Sequence, residues 1–316
     1  MAVHTEASRS NGSDASGKLF IFGVGYTGLA IAVSAMNRGY TVSGTCTSDS
    51  KLQALQNGYG ISTFLFDGTE PLSIEGVAAI TSCTHVLSTI PPGADGTEPV
   101  LLHHARHLQR STRLQWLGYL SSTGVYGDAG GDWVTEHTPP SPTTLKARAR
   151  LTAERAWQDS DSRVPARVFR LAGIYGPGRS ALDTLVAKDG DMAACAGARD
   201  AVTPVSRIHV ADIAQARCRG APAAAPPLLV NLADARPASR HEVFAHAARL
   251  LGCAAVPAAA DAAYVSARGG GSKRVDGTLL RRMLQARGLQ LVYPDYESGL
   301  AAVAEERAFR ISNLQS

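Results

Sequence analysis

The chain has 316 residues, 45% hydrophobic and 18% charged, with a formal net charge of +4. That composition excludes wholesale disorder and suits one large domain with a smaller appendage. No apolar stretch approaches the ~20 residues a membrane helix needs. The basic excess is spread thinly, mostly as Arg, without the dense block that a nucleic-acid surface calls for.

A thin positive excess still favours an anionic small ligand. Cys46, Cys83, Cys195, Cys218 and Cys253 are widely spaced, and no Cys-x-x-Cys pair occurs. A zinc knuckle or redox motif is therefore not expected. The cysteines read as small buried hydrophobes in a reducing compartment, which implies a cytoplasmic protein. Residues 1–17 are polar, lack an apolar core and carry Glu6 and Asp14. They are no secretory signal and read as a disordered tail, with a transit peptide and organellar import as the less favoured alternative.

Order is expected from Lys18. The run KLFIFGVG reads as a buried strand ending in glycines, and YTGLAIAVSAMNRG as a helix closed by Gly39. Further strands are expected at YTVSGTC, ISTFLFD (61–67), THVLSTIPP (84–92) and LQWLGYLSST (114–123), with a helix at PVLLHHARHLQRS. PARVFRLAGIYGPGR adds a strand running into a Gly/Pro loop. A Pro/Ala connector (220–227) precedes a strand at LLVNLAD (228–234). A helix follows at SRHEVFAHAARLLG (239–252), with Ser239 and Glu242 as a capping box. Residues 254–275 resist assignment, and SGLAAVAEERAFRI reads as an amphipathic terminal helix. Alternating strands and helices at this spacing imply a doubly wound parallel sheet.

Gly23-Val24-Gly25-Tyr26-Thr27-Gly28 is a G-x-G-x-x-G between the first strand and the first helix, the context that gives this weak pattern meaning. Gly23 makes the tight turn, Gly25 lets a pyrophosphate approach the backbone, and Gly28 allows close helix packing. The helix N-terminus then offers free amides to the phosphates. At the end of the second strand, an acid selects NAD and a base NADP. Here Thr45-Cys46-Thr47-Ser48 carries no carboxylate, Asp49 comes late and Lys51 is near, so the reading leans to NADP over NAD. Asp67, ending the third strand, either meets the adenine amino group or is an exposed loop residue.

Ser121-Ser122-Thr123-Gly124-Val125-Tyr126-Gly127 follows the fifth strand. Here the chain resembles the extended short-chain dehydrogenase/reductase superfamily, specifically its NAD-dependent epimerase/dehydratase family. Arg170 to Arg179 resembles that family's substrate loop, and Arg207-Ile208-His209-Val210-Ala211-Asp212-Ile213-Ala214 its His-Val-x-Asp segment. The resemblance implies that Ser122 holds the reacting oxygen. It also implies dimerisation through helices flanking the catalytic segment.

The family's Tyr-x-x-x-Lys pair is absent. Residues Asp14, Thr47, Pro142, Thr184 and Gly269 stand four before the five lysines. Anchoring on Glu154 puts Lys146 and Arg150 in the two slots. Arg150 supplies a field but cannot exchange protons in practice. Lys146 serves as acid or base only with a lowered pKa; Ser122 or Tyr126 could instead relay through water. Otherwise Lys146, Arg148 and Arg150 are a solvated helix face. Thr123 and Gly124 stand where the dehydratases carry Asp-Glu, so sugar-nucleotide dehydration is not expected. The pattern resembles the atypical subgroup that keeps Ser-Ser-Thr-Gly-Val-Tyr-Gly-Asp (through Asp128), Trp133-Val134-Thr135-Glu136, Ser272-Lys273-Arg274 and Tyr293-Pro294-Asp295-Tyr296. This fixes fold better than reaction.

His103, His104 and His107 share one helix without a further ligand, so a surface helix is expected and no metal. His209 either packs in the core, the favoured reading, or lines the substrate cleft. The loop with Trp133 and Glu136 could cap the site. Arg179 either grips a phosphate or carboxylate or is a loop-surface residue.

The expected plan is a Rossmann domain (18–170, with a strand returning near 201–234) and a smaller mixed C-terminal substrate domain (171–200 and 235–316). Catalytic candidates are Ser122, Lys146 and Arg150. The cofactor set is Gly23, Gly25, Tyr26, Thr27, Gly28, Thr45, Thr47, Asp67 and Pro91; the substrate set is Thr123, Tyr126 and Arg179. The function implied is an NAD(P)-dependent oxidoreductase or epimerase acting on an anionic small molecule, such as a nucleotide-linked sugar. The alternative is a catalytically lapsed NAD(P)-binding sensor or regulator. Neither reading involves nucleic acid or a membrane.

Overall fold

The computed structural model describes residues 17–191, 195, 203–216, 227–253 and 272–315. The N-terminal tail before Gly17, Cys218, residues 220–226 of the connector and the Ala/Gly-rich stretch 254–271 lie outside the described residues.

The first half alternates strand and helix: β1 (Lys18–Phe22), α1 (Tyr26–Met36), β2 (Thr41–Cys46), α2 (Asp49–Tyr59), β3 (Ser62–Leu65), α3 (Ile74–Ser82), β4 (His85–Ser88), α4 (Pro99–Arg110) and β5 (Trp116–Ser122). A single 3-10 turn, Thr123–Tyr126, leads to β6 (Trp133–Val134) and α5 (Leu145–Gln158). Then come β7 (Ala166–Leu171), β8 (Gly173–Tyr175), α6 (Ala181–Val186), β9 (Pro204–Val205), β10 (Arg207–His209), β11 (Leu229–Leu232), β12 (Ala238–Ser239) and β13 (Arg274–Val275). Further helices span Val210–Ala216, Arg240–Leu250, Thr278–Gln285 and Tyr296–Gln315.

Seven strands form one sheet in the order β11-β7-β5-β4-β1-β2-β3, every neighbouring pair parallel. The order reverses between β1 and β4, the switch point where ligands dock at strand carboxyl ends. β1 shows why the sheet is covered on both faces. Leu19 and Ile21 point into one core with Ile31, Leu87, Leu171 and Leu280. Phe20 and Phe22 point into the other with Val86, Tyr119 and Trp157. A strand buried on both faces needs a continuous apolar run, and KLFIF supplies it. A third cluster joins Leu182, Leu185, Val243, Phe244, Leu300 and Val303 from α6 and two later helices.

The capping box at Ser239 is present: its hydroxyl accepts from the Glu242 amide at 3.1 Å, and Glu242 accepts from the Ser239 amide at 2.7 Å. One reading is corrected. His104 does not lie on a surface helix face but is fully buried, its ring against Phe22 and Phe66. Val100, His104 and Leu108 recur every fourth residue and form the buried stripe of α4. Burial pushes the His104 pKa down to about 4, the neighbouring His107 and His103 adding to it, so the ring is neutral near pH 7.

The N-cap of α4 is Glu98, whose carboxylate accepts from the Leu101 amide at 2.7 Å. It is buried, and burial pushes its carboxyl up to about 7 from an ordinary 4.5. Between those values the folded chain keeps a proton that the unfolded chain releases. Stability therefore falls as pH rises through that window and levels off above it. Urea unfolding between pH 5 and pH 8 should show this decline, and Glu98→Gln should make it shallower, leaving the part due to the buried Asp212 and Asp234, pushed up to about 6 and about 7. Equal declines in the two proteins would contradict the assignment.

Candidate functional site

The site begins at the turn after β1. Gly23 has φ +85°, a conformation that L side chains rarely adopt. A Cβ there would stand 2.8 Å from Thr89 Oγ1. Gly25 is the N-cap of α1, and nothing lies within 4 Å of where its Cβ would be. A Cβ on Gly28 would collide with the Gly23 carbonyl oxygen. Hydroxyls brace the turn from both sides: the Gly23 amide donates to Thr45 Oγ1 at 2.9 Å, and Thr89 Oγ1 donates to the Gly23 carbonyl at 2.6 Å. No side chain caps α1, and its first turn carries no acid. The amides of Tyr26, Thr27 and Gly28 therefore have no intrahelical partner, at the positive end of the helix dipole.

The rest of the cofactor set is scattered around this turn. Thr45 is fully buried as its brace. Tyr26 lies under the Arg179 guanidinium, 5.6 Å from the ring centroid, and its buried hydroxyl has no hydrogen-bond partner among the described residues. Thr47 is exposed just beyond β2, where α2 begins with Ser48 as N-cap and Lys51 in its first turn. Asp67 is exposed. Hydrogen bonds from the Thr69 hydroxyl and amide hold its carboxyl below the ordinary range. Pro91 is exposed beyond β4.

Ser122 ends β5 beside Leu171 of β7, half-buried, its Oγ accepting the Gly124 amide at 3.1 Å. Thr123 Oγ1 donates to the Leu171 carbonyl at 3.3 Å. Tyr126 is buried, and its hydroxyl donates to Asn231 Oδ1 at 2.8 Å. Above its ring, 4.7 Å from the centroid, sits Arg170, which pairs with Glu154 at 2.7 Å; Glu154 also accepts from the Ser121 hydroxyl. Glu136 Oε1 accepts the Asn231 amide at 2.9 Å, so this acid caps the edge strand β11. Lys146 is exposed in the first turn of α5. Arg150 turns inward and donates to Tyr119 Oη at 2.9 Å and the Leu120 carbonyl at 3.1 Å. Among the described residues, neither hydrogen-bonds Ser122.

A cavity of about 580 Å³ opens beside the substrate loop, bounded by Arg179, Lys188, Arg207 and Arg240 and by apolar Phe244 and Leu300. His209 is packed between Tyr175 and Tyr293, at centroid distances of 5.1 and 4.1 Å. Burial lowers its pKa to about 4. Among the described residues no group of His, Cys, Asp or Glu could hold a metal, and no helix is long and apolar enough to cross a membrane. Thr89 and Asn231 were not anticipated as parts of this region, nor was the pairing of Arg170, read as the start of the substrate loop, with Glu154. Each acts through a residue distant in sequence, so no local spacing marks them.

Sheet order and glycine turn together define a Rossmann protein of the doubly wound kind. No family model matches the chain. It is 29% identical over 285 residues to protein YeeZ of Escherichia coli, covering 88% of this chain and 97% of YeeZ. A conserved protein of unknown function from Silicibacter pomeroyi is similar in structure, with TM-score 0.73, 34% identity, and coverage of 92% of this chain and 99% of that one. A Methylobacillus flagellatus protein provisionally described as an NAD-dependent epimerase/dehydratase has TM-score 0.71 and 25% identity, over 94% of this chain and all of that one. The chain belongs to the extended short-chain dehydrogenase/reductase superfamily, in the line of the NAD-dependent epimerase/dehydratase proteins.

The glycine geometry makes a contrast that can be measured. Gly25→Ala places its methyl in open space and should change unfolding free energy by under about 1 kcal/mol, the usual helix-terminal effect. Gly28→Ala forces the helix off the Gly23 carbonyl and should cost about 1–3 kcal/mol, as overpacking does. Equal costs in urea titrations would refute this account of the turn.

Proposed function

We propose that the protein is an NAD(P)-dependent oxidoreductase of the epimerase kind, acting on an anionic small molecule such as a nucleotide-linked sugar. The observation that carries this reading is the open backbone face at Gly25, held between the braced turn at Gly23 and the crowded packing at Gly28. The uncapped α1 amides, beside the open space at Gly25, would hold the pyrophosphate of a dinucleotide. Thr47, Ser48 and Lys51, where α2 starts, suit a 2′-phosphate better than a bare ribose hydroxyl, which favours NADP over NAD. The Methylobacillus flagellatus relative's description as NAD-dependent supports the cofactor class.

When bound, the nicotinamide supplies hydride transfer. The protein's part is positioning. The Gly124 amide donates to Ser122 Oγ. The serine's own O–H is then free to point at a ligand oxygen. Arg179, Lys188, Arg207 and Arg240, with Asp183 as the one acid among the lining residues, give the cavity beside the substrate loop a net positive lining for an anion. Arg150 stands in the lysine slot as a fixed charge; it cannot exchange the proton.

One observation favours a second reading, a cofactor-binding sensor without turnover. The residues in the Tyr-x-x-x-Lys slots do not converge on Ser122: Lys146 faces solvent, and Arg150 is engaged by Tyr119 and Leu120.

Calorimetric titration with NADPH, NADH and their oxidised forms tests both readings. One reduced form should bind, NADPH more tightly than NADH, and Gly25→Asp should abolish binding by placing a carboxylate against the pyrophosphate. Turnover in a substrate screen, lost in Ser122→Ala, would support the enzyme; binding without turnover would support the sensor. Binding of no dinucleotide would overturn both.

A further inference from the structure

Lys273 is an unusual lysine: only 8% exposed, in the Ser272-Lys273-Arg274 motif near the end of the chain. Its Nζ donates to the Gly127 carbonyl at 2.7 Å. Gly127 has φ +73°, and a Cβ there would collide with the Ser141 carbonyl, so its place is tightly determined. From Gly127 the bonding runs back along the 3-10 turn. Its amide donates to the Gly124 carbonyl at 3.1 Å, and the Gly124 amide donates to Ser122 Oγ at 3.1 Å. The ammonium thus stands at the head of a short series of hydrogen bonds that ends on Ser122.

The residues on either side dock the same loop. The Ser272 carbonyl accepts the Ala129 and Gly131 amides at 2.9 and 3.1 Å, and the Ser272 amide donates to Asp128 Oδ1 at 2.9 Å. The Arg274 amide donates to the Asp132 carbonyl at 2.9 Å, and β13 pairs with β6. Holding a carbonyl needs only a neutral donor, yet a cation stands here at a desolvation cost, opposed by the nearby Asp128 carboxylate. A charge-assisted bond is shorter and stronger than a neutral one. Its use here is explained if the turn must not loosen.

We propose that Lys273 is a positioning residue of the Ser122 site: its ammonium locks Gly127, and through the 3-10 turn fixes the amide that is aimed at Ser122 Oγ. The importance of that geometry rests on Ser122 being the reacting site; the geometry itself can be read without cofactor or substrate. Ser122→Cys in the full chain puts a thiol where the Gly124 amide donates. Alkylation of this introduced thiol by iodoacetamide is followed across pH, its peptide resolved by mass from those of the native cysteines. The thiolate should form below the ordinary thiol value of about 8.5. Adding Lys273→Met should return it toward that value, up to about a tenfold smaller thiolate fraction at pH 7 for each pKa unit, with a smaller loss of rate because the more basic thiolate is the better nucleophile. Lys273→Arg should restore the low value, and Lys273→Gln should fall between. Should the Met variant fail to fold, the Arg and Gln variants carry the test. Profiles unchanged across every folded Lys273 variant would overturn the proposal. Ser122→Ala without effect on turnover would instead remove the role of Ser122 and leave the Lys273 result standing.

Discussion

The turn at Gly23 is bonded to two other strand ends at once, its amide to Thr45 Oγ1 and its carbonyl to Thr89 Oγ1. Those strands, β2 and β4, are the neighbours of β1 in the sheet. The loop therefore inherits the rigidity of the parallel core. The same approach excludes side chains: a Cβ on Gly28 meets the Gly23 carbonyl, and one on Gly44 meets the Ile21 carbonyl. Only after those close approaches are fixed does α1 aim its uncapped amides at a defined place. The opening at Gly25 follows from crowding on either side of it.

A second constraint operates at the end of β5. In the resembled family, a Tyr and a Lys from the helix after the serine strand complete the site. Here that helix, α5, contributes Glu154 and Arg150, and both turn inward. Glu154 forms a buried pair with Arg170 of β7 and accepts the Ser121 hydroxyl. Arg150 reaches Tyr119 and Leu120 of β5. Losing one partner of such a pair leaves an uncompensated buried charge, so the pair fixes where α5 sits more than it adds net stability. The Arg150 guanidinium, through those two bonds, helps dock α5 on β5.

Elements with a local signal were legible in the sequence. β1 announced itself by a continuous apolar run and the glycine turn by its three positional roles; both stand where the residues placed them. The Ser239 cap was readable because both halves of the box, Ser239 and Glu242, lie within one helical turn. α2 was not readable, because Leu55 is its one buried residue and no apolar stripe marks it. His104 misled because a polar ring fills an apolar slot between Val100 and Leu108. At the candidate site the glycines, Ser122 and the substrate loop from Arg170 were visible, while Thr89 and Asn231 were not. Their partners are Gly23 and Tyr126, brought close by the sheet order, which no spacing encodes.

The later part of the chain is held differently from the first. Its strands β9, β12 and β13 are each two residues long, too short to specify register by ladder bonds alone. Carboxylates do part of that work. Asp212 accepts the Val292 and Tyr293 amides at 2.6 and 3.1 Å, Glu136 accepts the Asn231 amide, and Asp128 accepts the Gly130 and Ser272 amides. Each acid accepts from backbone amides that no strand ladder pairs, and at the buried Asp212 burial requires such partners. The cost appears at Asp212, where burial pushes the carboxyl up to about 6 against the opposing pull of its two amide bonds. What this arrangement supplies is reach. An acid can tie together segments some 80 or 144 residues apart, as Asp212 and Asp128 do, without a continuous element between them. Such links bring the later part of the sequence, including Ser272 and Tyr293, over the carboxyl edge of a sheet to which the first half gives five of the seven strands.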